Sequence, residues 1–312
     1  MKDQKQVQLF LKEFSSALAK EFGDDIDFIL LFGSAARGEW KRGISDVDLV
    51  IQLKTKGRAN EVSERAGKLF WALDKKHKTL LSKVCSIGAD AKKDNVKKVL
   101  KKTRLYVPFE VFESGDLDWK NGKIKKKELI LGANLVASQA MLFTKMKDEG
   151  KILYGRDIRK EICVKPSMWE KLKALLIPFY ISSISVFAAP ITPKNALKMA
   201  NKAVMYSIEA SLFFLEKPIG HGVRKAADEL ENELMRTIRK KYGVFGALEL
   251  DIALNLDYRK FVHFDFVKEA LRLKYNWNQE SKKYTRTDTI KFCFRALFFV
   301  NSINWYVVLR KQ

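Results

Sequence analysis

Histidine and cysteine are both scarce in this 312-residue chain, with three of each. Cys85, Cys163 and Cys293 stand far apart and share no metal-ligand spacing with His77, His221 or His263. A Cys/His zinc centre is therefore not expected. Scattered thiols of this kind are expected to be free and buried, which fits a reducing cytoplasm. A signal-peptide core is also lacking, because MKDQKQVQLFLKEF intersperses charged and amide residues among its apolar ones. No glycine-rich linker or internal repeat divides the sequence. Acid is short relative to base, with 37 Asp and Glu against 59 Lys and Arg and a formal charge of +22. Such a surface attracts polyanions and concentrates nucleotides, an effect that weakens with salt. Charge alone does not establish nucleic-acid binding. The one long stretch without charge, residues 174–193, has lysines at both ends and is long enough to span a bilayer, but it contains Pro178, Pro190 and three serines. It is expected to be a buried helix of a helical domain, and no membrane is expected.

Against these absences, 47% of residues are hydrophobic, ample for packed cores, and the length suits two domains. One stretch, FGSAARGEWKRGISDVDLVI (32–51), points to a chemistry. An apolar run from Ile26 to Phe32 closes on Gly33-Ser34, and after eleven residues Asp46 and Asp48 alternate with Val47 and Leu49. On a strand, the period of two places both carboxylates on one face, within reach of one divalent cation. Gly33 lets the backbone approach a phosphate closely, and the Ser34 hydroxyl and nearby N–H groups can bind its oxygens, especially if a helix starts at Ala35. Mg²⁺ takes oxygen ligands and is commonly held by one or two carboxylates plus substrate phosphates. The plain alternative is a hairpin-like connection with two solvent-facing aspartates, but Asp is depleted in strands and two in alternation need a reason.

The pattern resembles the signature of the DNA polymerase beta superfamily of nucleotidyltransferases, and is most similar to the minimal and aminoglycoside nucleotidyltransferases. FGSAARGEW resembles the phosphate turn of the minimal group. The resemblance implies an α+β fold, a small mixed sheet with flanking helices. It implies metal-dependent transfer of a nucleoside monophosphate from an NTP, with ATP the expected donor, to a hydroxyl, with release of pyrophosphate. It also implies Mg²⁺ or Mn²⁺ held by Asp46, Asp48 and a third carboxylate on a neighbouring strand. Glu110, flanked by Phe109 and Val111 in YVPFEVF, matches that third position as metal ligand or general base. Its rivals are Glu113, on the opposite face by alternation, and Asp116, beyond the strand. Gly33 and Ser34 are assigned to the β and γ phosphates. Arg37 is the best placed of three cations (Arg37, Lys41, Arg42) to neutralise them, although a surface arginine fits its position equally well.

Periodicity organises the remainder. Expected elements are a helix at 5–22, a strand at 26–32, a short helix at 33–39, a strand at 46–53, a helix at 60–82 carrying a structural His77, a strand at 106–112 and a helix at 127–148. The basic amphipathic helix at 92–104 reads as a solvated face. GKILYG (150–155) resembles the closing segment of minimal nucleotidyltransferase domains, which sets a catalytic domain at 1–158 and a helical bundle at 159–312. Candidate helices in the bundle are 168–188, 194–216, 223–241, 246–255, 260–273 and 288–310. Met199 to Leu234 is similar in layout to HEPN helical domains. In HEPN ribonucleases four to six residues lie between the Arg and the His, whereas Arg259 and His263 have only three between them, so ribonuclease activity is not expected. His221 is expected in a turn. Three readings stand for the acceptor side: a small-molecule or protein hydroxyl, an RNA end favoured by the +22 charge, or a noncatalytic nucleotide sensor. Oligomeric state is not legible.

Overall fold

Val7, Phe10, Leu11, Phe14 and Leu18 recur at helical spacing, and in the computed structural model they form the buried stripe of α1 (Lys2–Phe22). The structure describes residues 2–82, 109–125, 138–219, 222, 224–233 and 264–309. Expectations for Cys85, the basic helix at 92–104, residues 106–108, His221, the helix at 246–255, Arg259 and His263 lie outside the described residues. The chain forms two compact units, the second opening its main body at Pro166.

In the first unit, α1 is followed by β1 (Ile26–Phe32), α2 (Gly33–Arg37), β2 (Asp48–Leu53) and α3 (Ala59–His77). Then come β3 (Phe109–Phe112), the short strands β4 (Leu117–Asp118) and β5 (Lys123–Ile124), α4 (Gln139–Glu149) and β6 (Lys151–Gly155). The main sheet has the order β3-β2-β1-β6, with β1 antiparallel to both β2 and β6 and β2 parallel to β3. It is a small mixed sheet, as expected. Both faces are apolar because each packs a separate core. Ile29, Leu31, Leu49, Ile51, Phe109 and Val111 face α1 and α3, where Phe10 and Phe70 meet edge to face at 4.9 Å between ring centroids. Phe28, Leu30, Val50 and Phe112 face the other way, against Phe143 and Met146 of α4 and Trp119.

Two boundaries differ from the periodicity. α3 stops at His77 and not at residue 82, because Asp74 captures the groups that would extend it: its carboxylate accepts from the Thr79 hydroxyl, from Leu81 N at 2.9 Å and from Ser82 N at 3.1 Å. β2 begins at Asp48 and not at Asp46, because its partner Phe32 is the last residue of β1 and the preceding loop is still turning at Ser45, whose N–H bonds to Lys41 O at 2.9 Å. The first unit runs to Lys165, with Ile158 and Ile162 fully buried in its second core.

The second unit consists of α5 (Met168–Ala188), α6 (Pro193–Phe214), α7 (helical residues 224–233), α8 (Phe264–Tyr275), α9 (Trp277–Glu280) and α10 (Arg286–Leu309). α5, α6 and α10 pack on one another, and Asn304 Nδ2 of α10 donates to Leu175 O of α5 at 3.0 Å. The expectation of a fully buried α5 is corrected. Its inner stripe, Ala174, Leu175, Pro178, Ser182 and Ser185, is covered, whereas Tyr180 and Phe187 on the other side are 53% and 79% exposed. By length and composition α5 is the one helix among the described residues that could cross a membrane. Among the described cysteines both thiols are free, but only Cys293 is buried, and Cys163 is exposed.

Candidate functional site

The candidate site lies where β1 ends and β2 begins. Gly33 follows β1 directly with φ +75°, a left-handed conformation that costs an L-residue steric energy. A Cβ there would also collide with Oδ2 of Asp48 and lie 3.3 Å from its Cγ. Glycine is thus required twice, by the turn and by the carboxylate packed on its Cα. This places Asp48 directly against the Gly-Ser turn. Gly38, also left-handed, closes the short α2.

Ser34 follows Gly33, and its Oγ is out of solvent reach without a hydrogen-bond partner. Buried hydroxyls seldom remain unpaired, so an orphan here is spare capacity for a ligand oxygen. Arg37, one turn later, has a side chain only 11% exposed; its Nε meets Glu39 Oε2 at 3.1 Å. Its guanidinium is not at the free surface, which removes the surface-arginine alternative.

The main partner of this turn is a residue that sequence reasoning missed. Gly33 N–H donates to Glu149 Oε1 at 3.0 Å, and the Arg37 guanidinium forms an ion pair with the other oxygen of the same carboxylate. The Glu149 side chain is 1% exposed. A glutamate closing a helix of balanced charge before a glycine carries no local mark of burial. Its role comes from α4, which lays Phe143 and Met146 on the sheet and so delivers the next turn to Gly33.

The predicted carboxylates occupy different environments. Asp48 opens β2 opposite Phe32 and is partly buried. Glu110 pairs in register with Val50, and since Asp48 lies two residues before Val50, Glu110 and Asp48 share one sheet face. Asp46 lies before the strand and is exposed, separated from Asp48 by the fully buried Val47. Among the described residues no group of three or more His, Cys, Asp or Glu side chains converges to hold a metal ion. The rivals to Glu110 have structural partners. Glu113 accepts from Gly57 N at 2.8 Å and Ala59 N at 2.9 Å, capping α3, and Asp116 accepts from Glu113 N at 2.8 Å. Of the other candidate cations, Arg42 donates to Lys78 O at 2.7 Å. His77 pairs with Glu13 at 2.7 Å and packs edge-on against Phe10, a structural placement as expected.

Comparison with known families agrees with this geometry. Residues 11–131 match the model of the nucleotidyltransferase domain, a stretch that contains Gly33, Ser34, Arg37, Asp46, Asp48 and Glu110 and ends before Glu149. The match supports placing this domain in the nucleotidyltransferase superfamily. No curated protein and no solved structure matches the chain.

Proposed function

We propose, from the nucleotidyltransferase match of its N-terminal unit, that this protein moves a nucleoside monophosphate from an NTP, with ATP the first donor to test, to a hydroxyl acceptor and releases pyrophosphate. The observation that carries the reading is the convergence of the Gly33 N–H and the Arg37 guanidinium on one anionic group, beside Asp48 and the unpaired Ser34 hydroxyl. That is a turn equipped for oxyanions with a carboxylate next to it. In this reading Gly33 and Ser34 bind the β and γ phosphates, and Arg37 neutralises their charge.

The donor set suits a hard divalent cation: carboxylates only, at the end of a strand, open to water on the Asp46 side. Asp48 with Asp46 would hold Mg²⁺ or Mn²⁺, with Glu110 on the same face as a further ligand or as the base that takes the acceptor proton. The cation would polarise the phosphoryl oxygens and stabilise the charge that develops on them. A site with two or three protein carboxylates is enough, because Mg²⁺ keeps several waters and shares substrate oxygens.

The helical unit, HEPN-like in layout, is assigned the choice of acceptor. Addition of nucleotides to RNA ends is a second reading, favoured by the net charge of +22; RNA binding that falls steeply with salt would support it. The free thiols described here, Cys163 and Cys293, are consistent with a reducing cytoplasm. Incubation with Mg²⁺ and α-labelled ATP, with pools of metabolites, proteins and RNA as acceptors, tests the enzyme reading. Label should move to an acceptor, and Asp48→Asn and Asp46→Asn should abolish the transfer. Transfer that persists in both variants refutes the assignment, and ATP binding without any transfer identifies a sensor.

A further inference from the structure

Glu149 is a buried carboxylate that the proposed reaction does not use. It is held in place from both sides. α4 is anchored through Phe143 and Met146, and Lys151, two residues on, is already paired with Leu31 in the sheet. Between them Gly150 makes the helix end tight, since a Cβ there would strike Met146 O and lie 2.9 Å from Leu30 Cδ1. Glu149 is therefore placed on the turn by the fold, with one oxygen 3.0 Å from Gly33 N and the other on the Arg37 guanidinium. A carboxylate accepting a backbone N–H and an arginine N–H makes the contacts that a phosphate oxygen pair would make at the same groups.

We infer that Glu149 is an internal competitor for the phosphate site. Its carboxylate fills one phosphate position, and the donor must take the Gly33 N–H and Arg37 from it. This inference rests on the phosphate-turn reading above. The consequence is a specificity rule. A ligand that offers several negative oxygens can displace a buried, doubly bonded carboxylate, whereas a nucleoside or a nucleoside monophosphate offers too little charge. Glu149 selects for polyphosphates and lowers the affinity for all of them by a common factor.

The test measures binding of Mg·ATP, inorganic tripolyphosphate and adenosine to the full-length protein by calorimetry, in wild type and in Glu149→Gln and Glu149→Ala, with circular dichroism as the check of folding. Removing the competing charge from two charge-assisted contacts should lower Kd for tripolyphosphate and for Mg·ATP by about tenfold or more, and by the same factor for both. Adenosine binding should not change. In wild type, carbodiimide labelling should modify Glu149 only once tripolyphosphate is bound, which tests the displacement without a variant. Unchanged or weaker polyphosphate binding in the variants, or Glu149 still protected in the tripolyphosphate complex, overturns the inference and makes Glu149 a positioning residue for Arg37. If wild type and variants all fail to bind tripolyphosphate and Mg·ATP, the phosphate-site reading falls, and this inference falls with it.

Discussion

Replacing Gly33 with alanine adds one methyl group at the most constrained point of the site, and two costs follow. A non-glycine residue at φ +75° loses about 1–2 kcal/mol to backbone sterics. The new Cβ also meets the Asp48 carboxylate, and relieving such overpacking costs about 1–3 kcal/mol. Gly38→Ala is the internal control: its φ is +79°, but the nearest atom to a Cβ is Gln4 Nε2 at 3.8 Å, so only the first cost applies. Gly33→Ala should therefore destabilise its unit by about 1–3 kcal/mol more than Gly38→Ala does. Because the chain has two units, a single global unfolding curve is a poor measure. Hydrogen exchange of peptides spanning β1 and β2 reports the local free energy directly. The Asp48→Ala background supplies the decisive comparison. Asp48 Cβ would lie 3.7 Å from the added methyl, an ordinary contact, so the excess cost of Gly33→Ala should vanish there. An equal cost for Gly33→Ala and Gly38→Ala in the wild-type background would refute the close packing of Asp48 on the turn.

Two further substitutions test roles assigned to acidic residues outside the donor site. Glu113→Ala should cost about 1 kcal/mol in exchange protection at the start of α3, since Gly57 N–H and Ala59 N–H lose their acceptor, while nucleotide affinity stays unchanged; weakened nucleotide binding would return Glu113 to the candidate ligands. For Asp74, burial pushes the carboxyl up, but the bonds from Thr79, Leu81 and Ser82 outweigh it and leave the group below its ordinary value of 3.8. A depressed folded-state value means that its stabilisation is complete above that ordinary value and is lost as pH falls through the folded one. Asp74→Asn should accordingly cost about 2 kcal/mol at neutral pH. The gap to wild type should close on acidification below about pH 4, the unfolded carboxylate range. A gap independent of pH in the hydrogen-exchange protection of peptides spanning the end of α3 would show that shape, and not charge, governs the position.

The elements nearest the turn were the most legible. β1 is an uninterrupted apolar run closed by Gly-Ser, and its bounds, Ile26 to Phe32, are those the run predicts. α1 followed from one buried stripe. Where periodicity misjudged an end, a side chain intervened. Leu80 continued the apolar spacing of α3, yet Asp74 drew the following N–H groups out of the helix and placed Leu80 itself at φ 62°. α5 shows the opposite case, a helix whose uncharged stretch from Ala174 onward suggests burial all round but whose neighbours cover only one stripe.

What the sequence determined by itself is the turn and the carboxylate that follows it. Glycine, a small hydroxyl and an aspartate at the first residue of the next strand are chosen by local geometry, and local geometry is written in consecutive residues. Only the tertiary structure decided which anion meets that turn. Glu149 lies 116 residues beyond Gly33 and resembles any acidic residue at a helix end. The packing of α4 on the sheet and the pairing of β6 with β1 remove it from water and leave Gly33 and Arg37 as its partners. A buried charge must be paired, and long-range packing, which no short motif encodes, brings its partners to it.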